Sequence, residues 1–168
     1  MIVDIQNDYF PGGAMELVGS VEAAEVAASI QREFRSQGLP IINVQHIALG
    51  EAATFFRPGT AGAEIHESVK PASGEQVVVK HSPNSFKETV LLETLKSLQV
   101  TDLVIIGMMT HMCIDSTVRA ASDLGFNVTV HANACATKDL EFAGRVISAA
   151  EVQTAFLSAL DGSFAAVI

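Results

Sequence analysis

Asp4, Lys80 and Cys113 are a carboxylate, an ammonium and a thiol, each set at or just past the end of a short apolar run. Together they are the parts of an activated sulfur nucleophile: a base for the thiol proton, a cation to steady the anions, and a sulfur that attacks carbon. Cys113 follows Thr101 to Ile106, an apolar and β-branched run that reads as a buried strand; Gly107 interrupts it, and Met112 to Leu124 recovers helical spacing. The cysteine is therefore expected where a helix starts, beside free N–H groups and a positive dipole end that favour a thiolate. Taken alone, a cysteine there reads as a small buried apolar residue. A base, a cation and a thiol at three separate strand ends point instead to a site.

The elements that must position these groups are short apolar runs alternating with longer amphipathic ones. Strands are expected at Ile2 to Ile5, Pro40 to His46, Gln76 to Lys80, Thr101 to Ile106, Asn127 to His131 and Ser163 to Val167. A helix capped by Ser20 should end at Gly38, and a second, capped by Ser85, should cover Phe86 to about Leu98. The third is the Cys113 helix, closed near Gly125, and the fourth runs from about Asp139 to Leu160. Such β/α alternation predicts a doubly wound, Rossmann-like α/β fold, a mostly parallel six-stranded sheet with helices on both faces. In that architecture ligands collect beyond the carboxyl ends of the strands, where Asp4, Lys80 and Cys113 all fall. Residues 48–72 carry Gly50, Pro58, Gly59, Gly62 and Pro71 with little periodicity, so they read as a long excursion with a functional purpose.

Composition narrows the class further. A chain of 168 residues, 49% hydrophobic, fits one domain with ample core. Ten basic against nineteen acidic residues give a formal charge of −9, and no stretch clusters Lys and Arg, so neither nucleic acid nor an anionic membrane is an expected partner. No apolar run has bilayer length and no signal-type leader precedes Asp4, so a cytoplasmic location is expected. Only three residues precede Asp4, as in a strand whose start is cut short. The two cysteines do not make a C-x-x-C pair and are expected as free thiols.

Three segments resemble the isochorismatase-like cysteine hydrolases, the family of nicotinamidases and N-carbamoylsarcosine amidohydrolases. They are Ile2-Val-Asp-Ile-Gln-Asn-Asp-Tyr-Phe10 with the Pro-Gly-Gly after it, Val79-Lys-His-Ser-Pro-Asn-Ser-Phe86, and Gly107-Met-Met-Thr-His-Met-Cys-Ile114 leading into Ser116-Thr-Val-Arg-Ala-Ala121. The resemblance extends over essentially the whole chain and implies an isochorismatase-like hydrolase domain over residues 1–168. It implies an Asp4–Lys80–Cys113 triad, a non-proline cis peptide between Met108 and Met109, and an oxyanion hole formed by the backbone N–H groups of Met109 and Cys113. The implied reaction is hydrolysis of a C–N bond in a small amide, ureido or carbamoyl compound through a thioester, with no cofactor, in a homo-oligomer.

Neighbouring residues admit two readings each. Gln6 resembles a supporting position of the family, yet a strand glutamine can simply be exposed. Tyr9 and Phe10 can wall a pocket or only pack. His111 can reach the mouth of the site or serve no function there. Cys135 reads as structural, and Arg119, six residues past Cys113, as the partner of an acid. The nicotinamidase Asp-x-His pair is replaced by Asn43-Val-Gln-His46, and His66 reads as a solvated side chain in a helical turn, so no metal site is expected. Asn133 stands where an aspartate is common in the family. Alternative readings are a non-catalytic binding or scaffold protein on the same fold, and an isochorismatase-type vinyl ether hydrolase, which need not keep Cys113. A nucleotide-binding or thiol-redox protein is disfavoured, since no G-x-G-x-x-G, P-loop or C-x-x-C is present.

Overall fold

A computed structural model describes residues 1–168. Its strands are β1 (Ile2–Val3), β2 (Ile42–His46), β3 (Gln76–Lys80), β4 (Asp102–Met108), β5 (Asn127–Ala136), β6 (Leu140–Phe142), β7 (Arg145–Ile147) and β8 (Ala166–Val167). The α-helices are α1 (Ser20–Ser36), α2 (Leu91–Ser97), α3 (Asp115–Asp123) and α4 (Ala149–Leu160). Six strands form one sheet in the order β3-β2-β1-β4-β5-β8, and every pairing in it is parallel. This is the doubly wound α/β architecture expected from the β/α alternation. No helix is long and apolar enough to cross a membrane.

Strand alternation splits the apolar residues into two layers. Along β4, Leu103 and Ile105 join Leu91 and Leu95 of α2 and Val118 and Ala121 of α3 in one core. Ile106 and Met108 join Ala23, Ala24, Ala27 and Ala28 of α1 in the other. Successive side chains of a strand point to opposite faces, so a β-branched run without polar alternation is what a sheet covered on both sides requires.

Four local expectations are corrected. β1 stops at Val3 because Asp4 turns to φ +54°, which no strand residue adopts. Ser20 is the first residue of α1 and not its cap, which is Gly19 in a left-handed conformation. Ser85 starts no helix: its hydroxyl lies 2.9 Å from Thr117 Oγ1 of α3 and its N–H donates to the same oxygen, while α2 begins six residues later at Leu91. The fourth helix begins at Ala149, where Ser148 and Glu151 form a capping box. The residues before it form the β6–β7 hairpin, whose two turn residues, Ala143 and Gly144, both take positive φ (51° and 74°), the geometry a two-residue hairpin turn demands.

Strand register brings the site together. Val3 lies beside Val44 on one side and Gly107 on the other, and His46 lies beside Lys80. Strand order reverses between β1 and β4, so Asp4 leaves the sheet at its switch point. Gly107 takes φ +136°, and a Cβ there would overlap the Val3 backbone. Gly107→Ala should therefore destabilise the fold by about 3 kcal/mol or more, from backbone strain and overpacking together. Urea unfolding at neutral pH reads this directly; an unchanged midpoint would contradict the crowding at the β1–β4 contact.

Candidate active site

Each member of the predicted triad is fixed by a different backbone device at the carboxyl edge of the sheet. Asp4 follows β1 and is pinned by its N–H, which donates to Val44 O at 3.0 Å. Its left-handed conformation turns it out of the strand direction, and aspartate tolerates that conformation better than most residues. Lys80 is the last residue of β3. Cys113 was expected at the first turn of an α-helix; it lies instead in a π-helical turn, Thr110–Ile114, that runs into α3. Ile114 N–H reaches Met109 O at 3.2 Å across this wide turn, a feature found mostly at functional sites. The peptide bond between Met108 and Met109 is cis.

The three side chains meet in a sealed place. Lys80 Nζ lies 2.6 Å from Asp4 Oδ2 and donates to Cys113 Sγ at 3.2 Å. Asp4 and Lys80 have no exposure and Cys113 retains 4%. The ammonium also donates to Ser82 O at 3.0 Å and sits 3.1 Å from His46 Nδ1. Three N–H bonds thus face four acceptors. His46 is the residue that the sequence reading weighed only as half of a broken metal motif. The signal for it was its position as the last residue of β2, in register with Lys80 and one strand from Asp4. A lysine that reaches from β3 to β1 must pass whatever β2 presents there.

Asp4, His46 and Cys113 offer an oxygen, a nitrogen and a sulfur within 4.8 Å of one another, the donor set of a soft divalent ion. The Lys80 ammonium already stands among these three atoms, at 2.6, 3.1 and 3.2 Å. A second cation there would meet its full repulsion, so these residues fit the ammonium and do not fit a metal ion.

Burial raises the Asp4 carboxyl above its ordinary value, although Lys80 and the Cys113 thiol pull it back. Burial opposes the Lys80 charge, but Asp4 and Cys113 outweigh it and the ammonium is held more firmly than in water. For Cys113 burial comes first, the Asp4 charge second, and Lys80 only partly offsets them, so the thiol is pushed up. Burial and the Asp4 charge thus oppose the thiolate that the helix-end argument favoured. The resting site is an ion pair with a protonated thiol beside it. His46 is pushed down to about 4 by burial, then by Lys80 and His81, so its imidazole is neutral.

The surrounding residues divide sharply. Gln6 is fully buried and clamps His46: its Nε2 donates to His46 O at 2.9 Å and Ala63 O at 2.7 Å, and its Oε1 accepts from His46 N–H at 2.7 Å. Tyr9 is buried, with its ring 4.6 Å from Phe56 and 6.0 Å from Phe55. Burial pushes its hydroxyl well up. Phe10 stacks on His66 at 3.6 Å within the α1-side core. His66 is accordingly a half-buried packing partner, with Nδ1 2.9 Å from Ser68 Oγ, and not a solvated side chain. His111 pairs with Thr137 Oγ1 at 2.6 Å and meets Phe156 edge-on, contacts of packing type. Cys135 is buried and its thiol is pushed up to about 12 by desolvation. Arg119 pairs with Asp115 one turn earlier, as expected.

A parallel sheet with a carboxylate, an ammonium and a thiol converging at its switch point defines a doubly wound α/β protein with its polar cluster where such folds bind ligands. The isochorismatase domain profile matches residues 1–168, and the chain belongs to the isochorismatase family of hydrolases. It is 48% identical to the isochorismatase family protein YddQ of Bacillus subtilis, over 99% of this chain and 93% of that one. It is 29% identical to a streptothricin hydrolase of Streptomyces noursei, over 83% of this chain and 50% of that one. The crystal structure of an isochorismatase-type hydrolase from Oleispira antarctica superposes with a TM-score of 0.95 at 48% identity, covering 99% of this chain and 89% of that one.

Two outcomes follow from the electrostatics. Iodoacetamide should alkylate Cys113 more slowly at neutral pH than it does a free thiol, with a rate that climbs beyond the ordinary thiol range, and Lys80→Met should slow it further by removing the one group that favours the thiolate. A rate plateau near neutrality would contradict the protonated resting thiol. His46 titrates at about 4 in the fold against an ordinary 6.5, so the unfolded chain binds the extra proton in that window. Stability is complete above about pH 6.5 and falls as the pH drops towards about 4. His46→Phe should remove on the order of 2 kcal/mol of that loss, read as the difference in urea stability between about pH 7 and pH 4.5.

Proposed function

We propose that the chain is a cysteine hydrolase that cleaves the C–N bond of a small amide, ureido or carbamoyl compound through a thioester, with Asp4, Lys80 and Cys113 as its catalytic residues. One observation carries this reading: a buried ammonium touches both a carboxylate, at 2.6 Å, and a cysteine sulfur, at 3.2 Å. A structural ion pair needs no thiol beside it, and a structural thiol needs no charge. The streptothricin hydrolase among its relatives is named for a hydrolysis, and another relative, 32% identical over 47% of this chain, is a nicotinamidase of Arabidopsis thaliana.

The protonated thiol sets the order of events. The Cys113 proton moves to Asp4 as Sγ bonds to the substrate carbonyl carbon, and the carbonyl π pair becomes an oxyanion. Asp4 suits this exchange because burial has raised its proton affinity towards that of the groups it serves. Lys80 swings no charge of its own; it stays an ammonium and neutralises whichever neighbour is anionic. The N–H groups of Met109 and Cys113, on the turn that carries the sulfur, are the donors proposed for the oxyanion. On collapse the C–N bond breaks, the nitrogen takes the proton from Asp4, and ammonia or an amine leaves. Water then gives a proton to Asp4 and its oxygen to the thioester carbon. The C–S bond breaks, the acid departs, and the proton returns to sulfur.

An ammonia-release screen over small amides and ureas tests this. Cys113→Ser and Asp4→Asn should each lower kcat about a thousandfold or more on any substrate found, with secondary structure unchanged. Ammonia release that survives Cys113→Ser would refute the nucleophile.

A further inference from the structure

His46 is the one polar side chain that both touches the triad and keeps some exposure. Its Nδ1 lies 3.1 Å from Lys80 Nζ and 3.9 Å from Asp4 Oδ2, yet its side chain is 18% exposed where those two have none. Lys80 is an ammonium and can only donate, so Nδ1 must carry the lone pair and the ring proton must sit on Nε2. Nε2 makes no hydrogen bond within the protein and is not among its sealed, unpartnered atoms. Gln6 fixes the His46 backbone at both N–H and C=O, so this donor is held on a rigid strand end. The imidazole is neutral at working pH and therefore presents an N–H without a charge.

The His46 ring packs beside a buried aromatic cluster. The Phe56 ring lies 5.8 Å from the His46 ring and 4.6 Å from Tyr9, with Phe55 packed 5.0 Å from Phe56. The charges acting on Cys113 are Asp4 and Lys80 alone, and these neutralise each other. The cation touching the sulfur is thus already matched by Asp4.

We propose that His46 is a substrate-orienting residue: its Nε2–H donates to an acceptor atom of an uncharged amide or ureido compound held at the Asp4–Cys113 cluster. This rests on the hydrolase reading only in taking the Asp4–Cys113 cluster as the place where ligand binds. The role differs from that of Lys80, which acts on the reacting atoms, because the His46 Nε2–H holds the substrate.

The test is protection of Cys113 from iodoacetamide by benzamide, mapped at the peptide level in the full chain. Benzamide should slow Cys113 alkylation in the wild type and benzoate should not. His46→Phe should raise the benzamide concentration needed for half-protection about tenfold, and His46→Gln, which keeps an N–H donor, should recover most of that loss. Protection is read against each variant's own alkylation rate without benzamide, because His46 also accepts from the Lys80 that touches the sulfur. In parallel, nitrogen NMR of the labelled wild type should find the His46 proton on Nε2, with that resonance moving when benzamide is added; this measurement stands if a variant fails to fold. The proposal is overturned by absent protection in the wild type, equal protection by benzoate, unchanged protection in His46→Phe, Gln no better than Phe, or an Nδ1–H tautomer. Failure of the hydrolase reading looks different: benzamide protects as described, while no amide gives ammonia dependent on Cys113.

Discussion

A lysine charge with no access to water governs the local design. Removing an ammonium from solvent costs several kcal/mol unless its hydrogens and its charge are both answered nearby. Here Asp4 answers the charge, and Ser82 O, His46 Nδ1 and the Cys113 sulfur share the remaining donors. Those partners sit just past β1, on β2, just past β3 and after β4, so the sheet must hold four strand ends in one register for the charge to be tolerated. The tight packing of Gly107 on Val3 keeps β4, and with it the sulfur, close enough to take part.

The same logic explains why residues 48–72 hold their shape with little regular structure. Polar side chains from the framework take up its backbone groups: Asp8 accepts Phe56 N–H at 2.6 Å, Gln6 binds Ala63 O, and Gln31 of α1 donates to Val69 O at 3.0 Å. Arg35, at the end of the same helix, reaches Lys70 O and Glu75. Backbone polar groups left dry would cost more than the loop's apolar contacts return. Phe55 and Phe56 are thereby held beside Tyr9, and this aromatic cluster is as much a product of buried amides and carboxylates as of ring packing.

Much of this was legible in the sequence, for definite reasons. Strand runs apolar on both faces required a covered parallel sheet, and the strand-end rule then grouped Asp4, Lys80 and Cys113 without any contact information. The protonation state of Cys113 was not legible, because it depends on how completely the fold excludes water, and local sequence reports a helix end but not its solvation. His46 escaped notice because it was compared with a metal motif and not with its register neighbours. Leu140 to Ile147 fits helical spacing well enough to be absorbed into α4, yet Gly144 inside it was the signal for a hairpin turn. The π turn at Thr110 to Ile114 has no sequence rule behind it at all.

The reacting groups are far apart along the chain: Lys80 and Cys113 are separated by 33 positions and Asp4 precedes both by a wider gap. No hairpin or single β/α unit contains two of them, so no fragment assembles the cluster and no partly folded form owns a working part of it. Closing such distant contacts comes late in the formation of a parallel sheet, when most of the chain entropy has already been surrendered. The proposed chemistry is consequently an all-or-none property, present only in chains whose central strands have finished docking.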